Sequence, residues 1–306
     1  MNRFHRNNVT FWVFLAPVLF AFVMVVAIPF VIGGFYSFTD WNATARAGQG
    51  LKFVGLHNFT RSFQDPSFLY SFIITTIYTL VNVVVINVLA IVLALAVTSK
   101  LRFRNLYRMG FFVPYLIGGL ILGYLWQFVF NNAIPAIGNA LPFLSTLANP
   151  ENLMLRHVDT SIIALVIVGS WQYAGYIMMI YVAAIEGVPT ELYEAAQIDG
   201  ASGWQKFRGI TVPMIAQAFT ITMFLTLVNS FKQFDVNYSL TAGGPATSFM
   251  GESIYGTELL AMNIYKVAFV GNDLAAGQAR AVVFFVVIVV FSLVQVSINK
   301  KKELEL

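Results

Sequence analysis

The sequence predicts an all-α polytopic membrane protein with six transmembrane helices. Of its 306 residues, 58% are hydrophobic and only 10% are charged, and the mean hydropathy is +0.74. Six apolar runs are each long enough to cross the roughly 30 Å hydrocarbon layer as a helix. Their central parts contain no Asp, Glu, Lys or Arg. Backbone polar groups inside lipid must bond internally, so helices are the expected form of these runs.

The predicted spans differ in how straight and how closely packed they should be. In chain order they lie near residues 11–36, 70–98, 108–131, 159–186, 211–233 and 277–299. Pro17 and Pro29 predict kinks in the first span, because proline cannot donate to the helix ladder. Gly118, Gly119 and Gly123 predict close helix packing in the third span.

The remaining segments are too short to fold as independent domains. The outer connections should form small helices and caps, and they lie near 37–69, 132–158 and 234–276. The organisation expected is an N-terminal tail with the first span and outer loop at 1–69, a five-span core at 70–299 and a tail at 300–306.

Basic residues predict the orientation of the chain. They gather in the short segment LRFRNLYR at 101–108 and in the KKK run at 300–302. Cytoplasmic segments close to membrane spans are enriched in Lys and Arg. We therefore expect both termini and the 300–306 tail to lie in the cytoplasm. This use of charge at span ends explains the net charge of +4 without a nucleic-acid partner.

The chain lacks the residues that several kinds of chemistry require. Cysteine is absent, which excludes disulfides and thiolate metal sites. The three histidines, His5, His57 and His157, are scattered outside the spans and do not suggest a metal site. No G-x-x-x-x-G-K-[S/T] phosphate loop occurs, so the chain should not hydrolyse ATP itself. The sequence therefore predicts no resident cofactor and shows no motif of an enzyme.

One polar segment between two predicted spans is too charged to enter lipid. It reads PTELYEAAQIDGASGWQKFRGITVP and covers residues 189–213. Pro189 suits the first turn of a helix, and Gly200 suits its left-handed end. Ser202 can cap a second short helix. The residues thus predict a helix–Gly–helix unit on the membrane surface, either resting on lipid or binding a soluble partner.

The same segment resembles the EAA loop of permease subunits of binding-protein-dependent ABC importers. The matching residues are Glu194-Ala195-Ala196, Asp199-Gly200-Ala201, Phe207, Ile210 and Pro213. Other parts resemble the carbohydrate-uptake branch, and these are Ser37-Phe38-Thr39-Asp40-Trp41, Phe53-Val54-Gly55-Leu56, Asn58-Phe59, Asp65-Pro66 with Phe68, and Phe234-Asp235 with Thr241 and Gly243-Gly244-Pro245. The last group is similar to the F-type subunit of the maltose permease. One departure is Gln217, where many members have a second proline.

This resemblance implies a type I ABC importer permease fold and a set of partners. It implies a cytoplasmic ABC ATPase dimer that carries ATP and Mg, a second related permease subunit, an extracellular or periplasmic binding protein, and a bacterial or archaeal cell membrane. In the family, the EAA loop forms the coupling helix that sits in a cleft of the ATPase. The positions that carry this expected ATPase-coupling role here are Glu194, Ala195, Ala196, Asp199 and Gly200.

Polar residues within the spans predict where substrate could pass. Thr222, Thr226, Asn229 and Gln233 recur at spacings of four, three and four, which places them on one helical face. Such a stripe favours a cavity lining, and neutral hydroxyl and amide groups suit sugar hydroxyls. Asn82 and Tyr173 are further candidates. The alternative for all six residues is hydrogen bonding or packing between helices.

Three functional hypotheses remain open at this point. The first is a permease subunit of an ATP-driven importer for a disaccharide, oligosaccharide or glycoside, although glycerol-phosphate-type substrates also occur in this branch. The second is an ion-gradient-driven sugar carrier acting without an ATPase. The third is a membrane-embedded enzyme or assembly factor. Proton-coupled carriers usually place an ionisable group within their spans, and the absence of carboxylates from the six apolar cores favours the first hypothesis.

Overall fold

A computed structural model describes residues 2–42, 51–99 and 101–300. It is 79% helical, which confirms the all-α, polytopic fold class. Within these residues, five helices are long and apolar enough to span a membrane, and a bent helix pair makes a sixth. Lys301, Lys302 and the rest of the predicted tail up to residue 306 lie outside the described residues.

The smaller of two compact units comprises the chain up to Asp65 together with Ile264–Phe284. The first span is continuous through a π-helical segment at Val23–Ala27, which ends two residues before Pro29. Proline cannot donate a hydrogen bond to the preceding turn, and the wider π turn accommodates it. The helices of this unit are α1 (Asn2–Phe22), α2 (Ile28–Tyr36) and α3 (His57–Gln64), and a π-helical segment occupies Lys266–Val270.

The larger unit comprises Pro66–Asn263 together with the chain from Phe285. Its helices are α4 (Pro66–Thr98), α5 (Arg104–Leu116), α6 (Gly119–Phe128), α7 (Ile134–Ala140), α8 (Val158–Glu186), α9 (Thr190–Ile198), α10 (Gly203–Lys206), α11 (Val212–Met214), α12 (Ala216–Phe231) and α13 (Asp235–Leu240). Short π and 3-10 segments lie at Val129–Ala133, Pro142–Ala148, Pro150–Asn152 and Phe207–Thr211. The last two helices of the chain, α14 (Leu260–Tyr265) and α15 (Leu274–Lys300), include residues of both units.

The long helices α4 and α8 form the centre of the larger unit. Ala90 and Ala94 of α4 are fully buried, and their small side chains allow close packing against Ile177 and Tyr181 of α8. Hydrogen bonds pair the two helices in the same order along the chain, from Ser170 with Asn82 to Tyr181 with Asn87. The two helices therefore run in the same direction, as spans two and four of a six-span protein should.

The third predicted span, 108–131, is wrong as a single helix. Helix α5 ends at Leu116, Ile117 has an extended backbone, and α6 begins at Gly119. Pro114 weakens the last turn of α5, and glycine is a poor helix former, so Gly118 and Gly119 favour a break here. The Nε2 atom of Gln172 donates to the freed carbonyl of Ile117 at 3.1 Å. The break therefore occurs inside the bundle with its carbonyl satisfied.

The fifth predicted span, 211–233, is also not one straight helix. The segments before and after Ile215 are bent by 71°. Pro213 cannot donate to the carbonyl four residues earlier, and a π-helical segment precedes it. Helix α12 then ends at Phe231, so Gln233 lies beyond the helix that carries the other three residues of its predicted stripe.

The outer connection after α12 contains a β-hairpin that the sequence analysis did not predict. Strands β1 (Ala246–Phe249) and β2 (Glu252–Tyr255) pair antiparallel, with Ala246 opposite Tyr255. The two-residue turn is formed by Met250 and Gly251, both with positive φ, which suits the twist of a tight hairpin. The expectation of small helices and caps therefore holds only for the rest of this connection.

Candidate coupling surface and polar networks

The segment between α8 and α12 forms the expected helix–Gly–helix unit. Pro189 immediately precedes α9, and Gly200 follows it with φ +75°. The Ala201 N–H donates to the Ala196 carbonyl at 2.9 Å, which closes the end of α9. Ser202 and Gln205 then form a reciprocal capping box at the start of α10. Residues within this segment thus determine both where α9 ends and where α10 begins.

The surface of α9 is open to a partner. Glu194, Ala195, Asp199 and Gly200 are exposed, and Ala196 is half-buried. The apolar side chain of Ile198 is 87% exposed. Trp204 of α10 is 67% exposed. Apolar side chains this open, beside small and acidic ones, are typical of a protein-binding or membrane-contacting surface.

Helix α9 is held by hydrogen bonding to the chain that follows it. The hydroxyl of Tyr193 and the Oγ1 atom of Thr211 lie 2.9 Å apart. Thr211 belongs to the π-helical segment that leads toward α12. A displacement of α9 would therefore be transmitted directly to the start of the fifth span.

One arginine joins the basic 101–108 segment to the end of α8. The Nη2 atom of Arg108 donates to the Val97 carbonyl at 3.1 Å and to Glu186 Oε1 at 2.5 Å. Glu186 is the last residue of α8. The basic 101–108 segment and the 189–213 segment therefore lie at the same end of the helix bundle.

Two residues of the predicted stripe belong to a buried hydrogen-bond network. Thr222 donates to the Tyr181 hydroxyl at 2.7 Å, and that hydroxyl donates to Asn87 Oδ1 at 2.8 Å. Asn87 Nδ2 in turn donates to Thr226 Oγ1 at 3.0 Å. Thr222 and Thr226 are 0% and 1% exposed. In this conformation they connect α12 to α4 and α8 rather than line an open space.

A second network surrounds Asn82 nearer the start of α4. Its Nδ2 atom lies 2.9 Å from Ser230 Oγ and 3.3 Å from the Tyr78 hydroxyl. Ser170 of α8 donates to Asn82 Oδ1 at 3.1 Å. Gln233 is buried and hydrogen-bonded to Tyr78. Asn82 and Gln233 therefore share one network although they come from different elements.

The other two candidates remain accessible. Asn229 on α12 and Tyr173 on α8 are half-buried. Tyr173 meets Tyr115 edge-on at 5.8 Å between ring centroids, and Tyr115 stacks on Tyr176 at 4.5 Å. These three tyrosines present an aromatic surface at one side of the larger unit.

Sequence reasoning missed the residue that organises the outer loop. Asn237 is fully buried, and its Nδ2 atom donates to the Thr257 carbonyl at 2.7 Å. Its Oδ1 atom accepts from the Leu259 N–H at 3.0 Å, and Thr241 lies 3.2 Å from its amide. Asn237 lies inside the Phe-Asp…Thr-x-Gly-Gly-Pro pattern. That position is the one sequence signal that could have indicated its role.

No metal centre accompanies these features. Among the described residues, no group of three or more His, Asp or Glu side chains is placed to hold a metal ion. The polar groups that converge are amides, hydroxyls and phenols. Such groups bind and orient a polar solute or hold helices together.

Comparison with known proteins identifies the class as a binding-protein-dependent permease. The family described as "Binding-protein-dependent transport system inner membrane component" matches residues 86–303. The chain therefore belongs to this family and is a membrane-embedded permease subunit, with ATP hydrolysis on a separate subunit. The ion-gradient and membrane-enzyme hypotheses lose their support.

Individual relatives extend the match over nearly the whole chain. The probable starch degradation products transport system permease protein AmyD of Thermoanaerobacterium thermosulfurigenes is 43% identical over 99% of this chain and 98% of its own length. The multiple sugar-binding transport system permease protein MsmF of Streptococcus mutans is 30% identical over 95% of this chain and 96% of its own length. These relatives confirm the resemblance to the carbohydrate-uptake branch.

A solved structure shows the same fold. A bacterial ABC transporter involved in the import of the acidic polysaccharide alginate contains a chain with TM-score 0.80 and 20% identity, covering 97% of this chain and 96% of that chain. At this identity the likeness concerns the fold alone. It confirms the ABC importer permease architecture.

Proposed function

We propose that this chain is one of two related permease subunits of an ATP-driven importer for oligosaccharides. The observation that carries the substrate class is the 43% identity to a permease of starch degradation products across almost the full length of both chains. An extracellular binding protein delivers the sugar, and a cytoplasmic ATPase dimer with ATP and Mg provides the energy. Both termini lie in the cytoplasm.

Helix α9 is the coupling helix in this proposal. Its exposed face, with Glu194, Ala195 and Ile198, docks into a cleft of the ATPase. Ala195 and Ala196 are small enough to let the helix seat closely, and Gly200 permits the sharp turn that follows. The Tyr193–Thr211 contact passes the motion of α9 to the fifth span. ATP-driven closure of the ATPases then rearranges packed helices as rigid bodies.

The proposed substrate route uses the accessible residues. Asn229 offers an amide to sugar hydroxyls, and the tyrosine surface at Tyr173 packs against the apolar faces of sugar rings. Thr222, Thr226, Asn82 and Gln233 hold the helices that flank this route through the two buried networks. Sugar contact by these four residues would require the networks to open during transport.

Substitution of Glu194 by Lys tests the coupling surface. We expect at least a tenfold loss of ATPase retained when the tagged chain is purified in mild detergent, because a lysine reverses the charge on the exposed face. Mass spectrometry of the retained proteins measures this loss and reports whether a second permease remains. Glu252→Lys, on exposed β2, is the matched control and should retain the ATPase. Normal ATPase recovery and sugar uptake by Glu194→Lys would contradict the coupling role.

Substitution of Asn229 by Leu tests the substrate route. We expect the assembled complex to form normally but the KM for uptake of maltotriose to rise about tenfold, since the amide that bonds sugar hydroxyls is lost. Asn87→Leu provides the structural comparison, because it disrupts a buried network and should lower the yield of folded complex. Unchanged uptake kinetics of Asn229→Leu for every transported sugar would remove Asn229 from the route.

A further inference from the structure

A polar cavity of about 560 Å³ lies at one end of the larger unit. Three segments that are far apart in the chain enclose it. They are the end of α6 with the π-helical segment that follows, the chain at 153–156, and the chain from the end of α13 to Pro245. The volume falls in the range of about 300–1,000 Å³ that is typical of small-molecule sites. We term this space the outer cavity.

The outer cavity lies at the opposite end of the bundle from the candidate coupling surface. Arg156 lines it and stands two residues before α8 begins. The other end of α8, Glu186, is bonded to Arg108 of the basic 101–108 segment. Helix α8 has 29 residues, so it is roughly 43 Å long and exceeds the roughly 30 Å hydrocarbon layer. The cavity therefore lies where α8 leaves that layer, on the side where the proposed binding protein releases sugar.

Two amides on one helical face form the first wall of the outer cavity. Gln127 and Asn131 are four residues apart, so they project from successive turns on the same side. The Nε2 atom of Gln127 donates to the Leu240 carbonyl at 3.2 Å, which fixes this side chain and leaves its Oε1 atom as an acceptor. Asn131 is exposed, and its amide bonds no other residue that the structure describes. Its amide can therefore both donate to a ligand and accept from it.

A guanidinium held in place forms the second wall. The Nη1 atom of Arg156 donates to the Pro150 carbonyl at 3.3 Å, and its Nη2 atom pairs with Glu151 at 3.0 Å. A guanidinium has five N–H donors, so further donors remain for a ligand. The Glu151 carboxylate balances the positive charge, and the site therefore favours neutral hydroxyl groups over a phosphate or another anion.

The third wall is fixed and adds apolar surface. The Oγ1 atom of Thr241 donates to the Asn237 carbonyl at 3.1 Å and accepts from Thr257 Oγ1 at 2.8 Å. This hydroxyl therefore holds the wall in place instead of binding a ligand. Pro245 of this wall and Leu153 of the second wall present apolar groups to the cavity. A sugar ring carries hydroxyls at its edge and C–H groups on its faces, and both find partners here.

We propose that the outer cavity is an entry subsite that binds one end of a neutral oligosaccharide. The inference rests on the proposed function and deepens it. Gln127, Asn131 and Arg156 bond the hydroxyls of a terminal sugar unit after the binding protein releases it. The sugar then moves on toward the tyrosine surface at Tyr173. Single hydrogen bonds that replace bonds to water contribute little net affinity, so the subsite holds the sugar weakly and lets it leave.

Protection of a thiol by sugar tests the outer cavity without transport. The chain contains no cysteine, so Asn131→Cys introduces a single thiol into this subunit, while Gln127 and Arg156 remain to bind sugar. In the complete importer in lipid nanodiscs, without binding protein, we expect millimolar maltotriose to slow methanethiosulfonate labelling of this thiol at least fivefold. Asn132→Cys is the matched control, because Asn132 is adjacent and exposed but does not line the cavity. Its labelling rate should not change.

Three results of this experiment would overturn the proposal. The first is labelling of Asn131→Cys at the same rate with and without maltotriose. The second is equal slowing by inorganic phosphate, which would indicate an anion site. The third is slowing by sugar-free binding protein but not by maltotriose, which would indicate a protein contact.

Uptake shows whether the subsite acts during transport. In ATP-driven uptake into proteoliposomes with unmodified binding protein, we expect Asn131→Leu to lower maltotriose uptake about fivefold per assembled complex. Asn132→Leu should match the unmodified importer. Normal uptake by Asn131→Leu would contradict a role in entry. An importer that transports maltotriose without protecting Asn131→Cys overturns the subsite alone, whereas failure of the unmodified importer to transport maltotriose contradicts the oligosaccharide function itself.

Discussion

Substitution of Gly175 by Val should prevent the larger unit from assembling. The backbone of α5 crosses α8 at this glycine so closely that an added Cβ would overlap the carbonyl oxygen of Phe111. A backbone atom cannot rotate away, so α5 would have to move off α8. We expect a loss of more than about 4 kcal/mol, within the range of severe packing defects, seen as loss of monodisperse protein after detergent extraction.

The facing helix, α5, provides a control substitution. Gly110 lies in α5, and nothing stands within 4 Å of a Cβ added there. Gly110→Ala should therefore leave the yield and the melting temperature of the purified complex unchanged or slightly raised, because alanine favours a helix. Normal yield of Gly175→Val would show that α5 and α8 are not in contact as described.

Substitution of Arg280 by Ala should destabilise the smaller unit by about 3 kcal/mol. Arg280 is buried, and its guanidinium pairs with the carboxylate of Asp65. Removing one partner leaves a charge in a poorly hydrated place, which typically costs more than the pair contributes. The measurement is the midpoint temperature at which this subunit unfolds in the purified complex.

Arg61 supplies the comparison for this prediction. It pairs with Asp273 at 2.8 Å, but its side chain is 62% exposed. Exposed ion pairs contribute about 0–1 kcal/mol, so Arg61→Ala should shift the midpoint far less than Arg280→Ala. Equal decreases in the unfolding midpoint for the two variants would show that burial does not make the Arg280–Asp65 pair more important for stability than the exposed pair.

Much of this architecture follows from local sequence. Four apolar runs, the first, second, fourth and sixth, become spanning helices close to their predicted positions, because length and hydropathy alone determine them. The turn after α9 is equally local, since Gly200 and the Ser202–Gln205 box act within a few residues. Gly119 and Gly123 also allow the predicted close packing, and an added Cβ at either would collide with α13.

The parts that sequence reasoning missed depend on distant contacts. The α5–α6 break needs Gln172 to satisfy the Ile117 carbonyl, and that residue is far away in the chain. The stripe of Thr222 and Thr226 is visible in the spacing, but its partners Asn87 and Tyr181 lie on other helices. Asp235 follows an apolar run and therefore looked like a loop residue, although the structure packs it against Gly119 at the start of α6.

Family membership adds a second argument for the ATP-driven mechanism to the absence of carboxylates from the six predicted apolar cores.

The most direct test of the central claim is uptake of labelled maltotriose by proteoliposomes that contain this chain, its second permease and its ATPase. We predict uptake only with ATP at the ATPase side and binding protein on the other, and no loss when an uncoupler collapses the proton gradient. Uptake that continues without ATP and stops with the uncoupler would contradict the account and identify a gradient-driven carrier.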